Sequence, residues 1–233
     1  METKAYFGKQ SMIAQELKVV LIGSEIEENL AIRYLASSLI AHGHAAHIVP
    51  FSNASERDEV LCRIRKWRPR LVAISIPFQM HAVSYLELAG AIRDDGYTGH
   101  IVVGGHFPTF EYKAILERQP AIDSVGRFDG EETIVALADA LAARTGLDEV
   151  PNLVYRTPQG LNENACKTSF PDLDALPFPL RSKRMHRRLG EHFATLSASR
   201  GCWHSACLYC CIGAFHKNKD VPFALRSADI VAE

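Results

Sequence analysis

Short apolar runs alternate with longer amphipathic stretches along the first two thirds of the chain. Residues 18–23 (KVVLIG) are rich in β-branched side chains and end at a glycine, as is typical of a strand buried on both faces. Residues 29–43 carry apolar side chains at helical spacing and stop at a glycine suited to a helix C-terminus. The two patterns recur, and they predict strands over residues 18–23, 46–50, 71–76, 100–105 and 121–125, and helices over residues 29–43, 55–67, 82–94, 111–118 and 130–145.

This alternation predicts an α/β fold in which five strands form a doubly wound parallel sheet. Right-handed crossovers are expected between consecutive strands. In sheets of this kind, ligands bind outside the carboxyl ends of the strands. The loops that follow the strands are therefore where functional residues are expected.

The pattern changes after residue 146. Residues 152–157, a Pro-Gln-Gly turn and the polar residues after it predict a small hairpin within a linker. Residues 181–188 (RSKRMHRR) carry five basic side chains, which suit either a solvated linker or contact with an anionic substrate or cofactor phosphate. A strand is predicted over residues 193–198 and the start of a helix over 227–233. The predicted divisions are an N-terminal extension (1–17), the α/β domain (18–146), the linker (147–192) and a final segment (193–233).

Composition narrows the class of protein. The 233 residues are 47% hydrophobic and 23% charged with a formal net charge of −1, which is typical of a globular protein and excludes disorder. This balance argues against a nucleic-acid-binding or acidic-membrane-binding protein. No apolar run approaches the roughly 18 residues of a membrane span, and the N-terminus lacks the apolar middle of a secretory signal. We expect a cytoplasmic protein that acts without nucleic acid or membrane.

Four of the six cysteines lie close together, whereas a disulfide framework would spread them along the chain. The spacing Cys202-x4-Cys207-x2-Cys210 allows three thiolates to converge on one metal centre. Thiolates suit zinc or an iron–sulfur cluster. Zinc needs a fourth ligand, for which Cys211, His204 and His216 are candidates, whereas a [4Fe–4S] cluster that keeps one iron open needs only three. Cys62 is predicted to be a small buried hydrophobic residue.

The sequence Ser199-Arg200-Gly201-Cys202 and the aromatic Tyr209 resemble the cluster loop of radical S-adenosylmethionine (SAM) enzymes. The resemblance implies that Cys202, Cys207 and Cys210 hold a [4Fe–4S] cluster, that its fourth iron binds SAM, and that Tyr209 lies near the adenine. The family has three residues between the first two cysteines and this chain has four, so Cys211 remains an alternative ligand to Cys210.

The upstream half resembles the Rossmann-like cobalamin (B12)-binding domain that precedes the barrel in many radical SAM enzymes. The similar segments are residues 19–23, 75–77, 104–109 and 122–131, with 150–156 and 172–177 in the linker. The implied cobalamin contacts are Ser24, Ser75, Ile76, Gly104, Gly105, His106 and Gly126.

Elementary chemistry is compatible with those contacts. Glycines at 104 and 105 allow backbone to approach a broad ring closely, and the Ser75 hydroxyl adds a polar group without bulk. The alternative is that the two glycines only make a tight strand-to-helix turn. The loop of residues 23–28 has no histidine, so we expect no histidine ligand to cobalt from that loop.

The resemblance implies a cobalamin-dependent radical SAM enzyme that transfers a methyl group to, or rearranges, a small molecule and receives electrons from a flavodoxin or ferredoxin. The alternative is a non-catalytic cobalamin-binding module with a vestigial or zinc-bound cysteine loop. A receiver-like sheet is disfavoured, because Ser75-Ile76-Pro77 stands where a phosphoacceptor Asp is needed. Only the start of a radical SAM barrel follows the linker, so we expect the isolated chain to be a fragment without turnover.

Overall fold

The computed structural model describes residues 15–181, 186–188, 190–216 and 219–232. Strands and helices alternate from β1 to α5, as the sequence predicts. The elements of this part are β1 (Lys18–Gly23), α1 (Leu30–Ala41), β2 (Ala45–Pro50), a 3-10 turn (Ala54–Glu56), α2 (Arg57–Trp67), β3 (Leu71–Ser75), α3 (Gln79–Asp94), β4 (His100–Gly104), α4 (His106–Arg118), β5 (Ser124–Gly126) and α5 (Glu131–Ala143).

The remaining elements are short. They are β6 (Leu153–Thr157), β7 (Gly160–Glu163), β8 (His186–Arg188), β9 (Glu191–Phe193), β10 (Ser199–Gly201), α6 (Ile212–Phe215), β11 (Phe223–Leu225) and α7 (Ala228–Ala232). Strands β8 and β9 pair with each other, and so do β10 and β11, both antiparallel.

The main sheet has the order β2-β1-β3-β4-β5-β6-β7. Its first five strands are parallel, which confirms the predicted doubly wound sheet. The hairpin assigned to the linker is β6–β7, and it continues the same sheet because β6 pairs antiparallel with β5. The sheet therefore has seven strands, and the hairpin covers an edge that β5 would otherwise leave open.

The central parallel strands β1, β3 and β4 are buried on both faces, whereas the edge strand β2 is mostly half-buried. On one face, Val20, Ile22, Val72 and Ile74 pack beneath α2, α3 and α4. On the other face, residues one step along, such as Val19, Leu21 and Leu71, pack beneath α1 and α5. This alternation follows from the two-residue period of a strand. Helices α1 and α5 therefore both pack on the same face of the sheet, which is the face that carries the candidate site.

Several predicted elements begin or end elsewhere. Helix α3 starts at Gln79 rather than at 82, and β5 spans Ser124–Gly126 rather than 121–125. Helix α4 starts at His106 rather than at 111, and it is kinked at Glu111, the predicted start. Pro108 is tolerated in the first turn because its missing N–H is not needed there. The strand predicted over residues 193–198 is wrong, because β9 ends at Phe193 and β10 begins at Ser199. The N–H of Thr195 donates to the carboxylate of Glu28 at 2.7 Å instead of joining a strand.

Candidate functional site

A row of small residues crosses three neighbouring strands at their carboxyl ends. Register pairs Ser75 of β3 with Gly104 of β4, and Gly104 with Gly126 of β5. On the opposite face, the strands carry larger side chains at the preceding positions, Ile74 and Val103. Small residues therefore occupy the face beneath α1 and α5, where the missing side-chain volume leaves room for a ligand.

A cavity of about 460 Å³ lies at this place. This is within the range of about 300–1,000 Å³ that is usual for cofactor and ligand sites. Strand tips form its floor, helices α1 and α5 form one wall, and the segment around the cysteines forms another. Residues that line it include Leu30, Tyr34, Leu35, Ala73, Ser75, Gly104, Gly105, His106, Gly126, Phe128, Asp129, Glu131, Ile134, Ser199, Arg200, Phe215 and His216.

Glycine is found at positions 104 and 105 for different structural reasons. Gly105 has φ +110°, and a Cβ there would lie 2.7 Å from the backbone oxygen of Ile76. Gly105 is therefore required by a tight strand-to-helix turn, the alternative considered for this pair. Gly104 lacks positive φ and lies on the cavity floor, where a Cβ would lie 3.3 Å from the backbone oxygen of Gly126.

The other predicted cobalamin contacts are divided between the cavity and its surroundings. Ser75, Gly126 and His106 line the cavity. Ile76 is fully buried among the core residues of the opposite face, so its side chain packs away from the cavity. Ser24 lies outside the cavity lining, and its hydroxyl is 3.0 Å from that of Ser52.

A buried ion network that sequence analysis missed lies at the cavity wall. Arg200 donates to both carboxylate oxygens of Glu131, one at 2.9 Å, and to Asp129 at 3.1 Å. The Nζ of Lys219 lies 3.4 Å from the other oxygen of Asp129. Burial alone would lower the pKa of the Arg200 guanidinium, but the two carboxylates hold that pKa above its ordinary value. The only sign of this network in the sequence is the position of Arg200, two residues before the candidate metal ligand Cys202.

Aromatic rings attach the cysteine segment to α4. Phe215, 5% exposed, lies in α6 and packs on His106, with ring centroids 4.5 Å apart. Phe110 and Phe128 are also in ring contact with Phe215, at 6.3 and 5.8 Å. Burial lowers the pKa of His106, against the opposing effect of the Asp129 carboxylate. His106 is therefore a neutral imidazole near pH 7 at the cavity edge.

The cysteine loop is more open than the cavity. Cys202 and Cys207 are half-buried, whereas Cys210 and Cys211 are exposed. Within the described residues, no three His, Cys, Asp or Glu side chains are gathered closely enough to hold a metal ion. Tyr209 is 93% exposed and is not among the residues that line the cavity. The predicted ligands thus share one loop, and their roles stay predictions.

Local backbone nevertheless prepares the first cysteine for the thiolate form. The backbone N–H groups of Ser205 and His204 donate to the sulfur of Cys202 and lower its pKa. Gly201 precedes it with φ +79°, where a Cβ would overlap the backbone oxygen of Pro222. Thiolate is the form that binds metal, so a soft metal centre fits this donor set. Cys62, predicted to be buried, is exposed on α2.

The fold is a doubly wound α/β domain with a cavity at its strand tips, between the sheet and two helices. Residues 19–138, more than half of the chain, match the B12 binding domain family, and the chain belongs to that family. The resemblance of the upstream half to the cobalamin-binding domain is confirmed. Within the described residues, no helix combines the length and apolar character needed to cross a bilayer.

Two curated relatives are similar to this chain, and the first match is longer than that domain. The chain is 29% identical to hopanoid C-3 methylase of Methylococcus capsulatus over 195 residues, 81% of this chain and 36% of that protein. It is 32% identical to anaerobic magnesium-protoporphyrin IX monomethyl ester cyclase of Synechocystis over 113 residues, 47% of this chain and 22% of that protein. The chain thus spans about a third of the first relative and about a fifth of the second.

Solved structures share the fold. The radical SAM methyltransferase TsrM from Kitasatospora setae superposes with a TM-score of 0.71 at 16% identity, over 93% of this chain and 44% of that one. The cobalamin-dependent SAM radical enzyme OxsB, with cobalamin and SAM bound, superposes with a TM-score of 0.68 at 21% identity, over 84% of this chain and 28% of that one. The similarity in fold therefore includes residues beyond the B12-binding domain.

Proposed function

We propose that this chain is the cobalamin-binding part, with the cluster loop, of a cobalamin-dependent radical SAM enzyme that methylates or rearranges a small molecule. The observation that carries the proposal is the cavity of about 460 Å³ at the strand tips, walled on one side by the segment that bears the cysteines. Membership of the B12 binding domain family supports cobalamin as its occupant.

The residues around the cavity fit a large cofactor that is mostly apolar with a polar periphery. Ser75, Gly104 and Gly126 leave the floor open, and Leu30, Leu35 and Ile134 supply apolar wall. The hydroxyl of Tyr34, a cavity-lining side chain that is 2% exposed, has no hydrogen-bond partner among the described residues. A buried polar atom left without a partner is costly, and a bound ligand can supply that partner.

The cysteine loop fits the second part of the proposal by its donor chemistry. Cys202, Cys207 and Cys210 would hold the cluster, with Cys211 as the alternative to Cys210, and Tyr209 would contact the adenine of SAM. When bound, the cluster with SAM would supply radical chemistry and cobalamin would supply a methyl group. The side chains of this chain bind and orient these groups. A flavodoxin or ferredoxin in the cytoplasm is the electron donor we propose.

Anaerobic reconstitution of the chain with iron, sulfide and hydroxocobalamin tests both parts. We expect one cobalamin and about four irons per chain after desalting, read from the absorbance spectrum and metal analysis. A variant with Cys202, Cys207 and Cys210 all changed to Ser is expected to lose the iron and keep the cobalamin. Retention of one zinc and no iron favours the non-catalytic module. Failure to retain cobalamin overturns the proposal.

A further inference from the structure

One imidazole of the cysteine segment lies in the wall of the cavity. His216 follows α6 directly and is 9% exposed. Its ring packs against Phe170 and Phe215, with centroids 4.8 Å away in each case. Nδ1 of this ring is buried and has no hydrogen-bond partner among the described residues. A polar side chain buried to this degree normally has a partner, and His216 is also one of the residues that line the cavity.

The charged groups around His216 are already matched with one another. Asp129 is shared by Arg200 and Lys219 as an ion-pair partner. Its Oδ2 lies 4.0 Å from Nδ1 of His216, beyond hydrogen-bond distance, and also has no hydrogen-bond partner among the described residues. Glu131 completes the network by pairing with Arg200. Two carboxylates therefore balance two cations, and no cation of this network is left for a phosphate or carboxylate. The wall favours a neutral polar group.

The imidazole is suited to such a group. Whichever ring nitrogen carries the proton, the imidazole offers an N–H donor, and in its neutral form it also offers an acceptor nitrogen. A carboxamide is complementary to it, because a carboxamide also carries both a donor and an acceptor. The corrin ring of cobalamin bears several carboxamides at its edge.

We propose that His216 is a cofactor-binding residue that hydrogen-bonds to a carboxamide of the bound corrinoid, so that the cysteine segment takes part in cobalamin recognition. This inference rests on the proposed function. It assigns a cofactor contact to a residue beyond residues 19–138 of the B12 binding domain match. The strand-tip loops alone then bind cobalamin more weakly than the whole chain does.

The test compares the dissociation constants of hydroxocobalamin for the full chain and three variants, measured by absorbance titration. His216→Phe keeps the aromatic packing and removes the hydrogen bond, and we expect about tenfold weaker binding, equivalent to about 1.4 kcal/mol. His216→Gln restores an amide and should recover most of the affinity. His47→Phe is the matched control, since His47 is also a partly buried imidazole with a lowered pKa that stacks on an aromatic ring, Trp67, outside the cavity.

The outcomes separate this inference from the proposed function. Unchanged affinity in a folded His216→Phe chain, or an equal loss in His47→Phe, overturns the role of His216. Absence of cobalamin binding by the unmodified chain overturns the proposed function instead. If His216→Phe does not fold, the unmodified chain decides: addition of hydroxocobalamin must shift the ¹⁵N resonances of the His216 ring, and unshifted resonances refute the contact.

Discussion

Arg200 and Glu131 form a two-pronged ion pair that joins the segment before the cysteines to the first turn of α5. Their side chains are 15% and 7% exposed, so the pair is largely removed from water. Glu131 also opposes the positive end of the α5 dipole. The pair therefore holds the cysteine segment against the cavity wall.

Removal of the Arg200 charge should destabilise the fold. We expect Arg200→Met to lower the free energy of unfolding by about 3 kcal/mol, because Glu131 is left as an unpaired buried charge. The measurement is urea denaturation. The double variant Arg200→Met/Glu131→Gln should recover more than half of the loss. The control is Arg63→Met, which breaks an exposed pair with Glu59 and should change stability by no more than about 0.5 kcal/mol. Equal effects at Arg63 and Arg200 would contradict the structural role.

Added volume on the cavity floor should block cobalamin. A Cβ at Gly126 would meet only Thr133, at an ordinary contact distance of 3.5 Å, so the local backbone does not itself require glycine. We expect Gly126→Leu to weaken hydroxocobalamin binding more than tenfold, measured by absorbance titration. Gly90→Leu adds the same volume on α3, outside the cavity lining, and should leave the affinity unchanged. Normal binding by Gly126→Leu would show that cobalamin lies elsewhere.

The hydrogen bonds and ion pair that Thr195 and Arg181 make with the Glu28 carboxylate should stabilise the fold in a way that is lost in acid. Burial would raise the pKa of Glu28, but hydrogen bonds from Thr195 and Arg181, and the Arg181 charge, lower it to about 2. Because the folded-state pKa lies below the ordinary value of 4.5, the contribution is full above that pH and is lost as the pH falls toward 2.

Thermal unfolding of the parent chain and Glu28→Gln between pH 2 and pH 7 measures this contribution. At pH 7 the free energy of unfolding of the parent should exceed that of Glu28→Gln by about 1–2 kcal/mol, once solvent screening is allowed for. This difference should vanish near pH 2. A difference that does not vary with pH would rule out the Glu28 carboxylate as its source.

The backbone donors around Cys202 should make it the most reactive thiol of the apo chain. Its lowered pKa places more of it in the thiolate form near pH 7. We expect iodoacetamide to label Cys202 faster than Cys210 or the exposed Cys62 in a reduced, metal-free sample, as followed by peptide mass spectrometry. Labelling of Cys62 at an equal or greater rate would refute the backbone effect.

Much of the fold could be predicted from local pattern. Short β-branched runs such as residues 18–23 and 71–76 alternate with helical segments, and this period alone specifies the parallel sheet. The pairing of β6 with β5 could not be predicted in the same way, because an edge hairpin and a linker hairpin have the same local sequence. Likewise, Pro108 concealed the start of α4, although proline is tolerated in a first helical turn.

The candidate site was predictable only at the strand tips. Ser75, Gly104 and Gly126 were implied by the resemblance to the cobalamin-binding domain, and small residues at the ends of parallel strands are compatible with space for a ligand. Ile76, also chosen, faces the opposite core, since the strand period turns its side chain away. His216 was considered only as a metal ligand, and its place in the cavity wall depends on how α6 packs.

The sequence by itself determined the alternating elements, the small residues at the strand ends and the grouping of the cysteines, because each of these depends on near neighbours along the chain. Tertiary structure alone decided that Arg200 meets Glu131, that Phe215 packs on His106 and that the cysteine segment walls the cavity. These contacts join residues far apart in sequence. Their partners are set by burial and charge pairing in the folded chain, which no local pattern records.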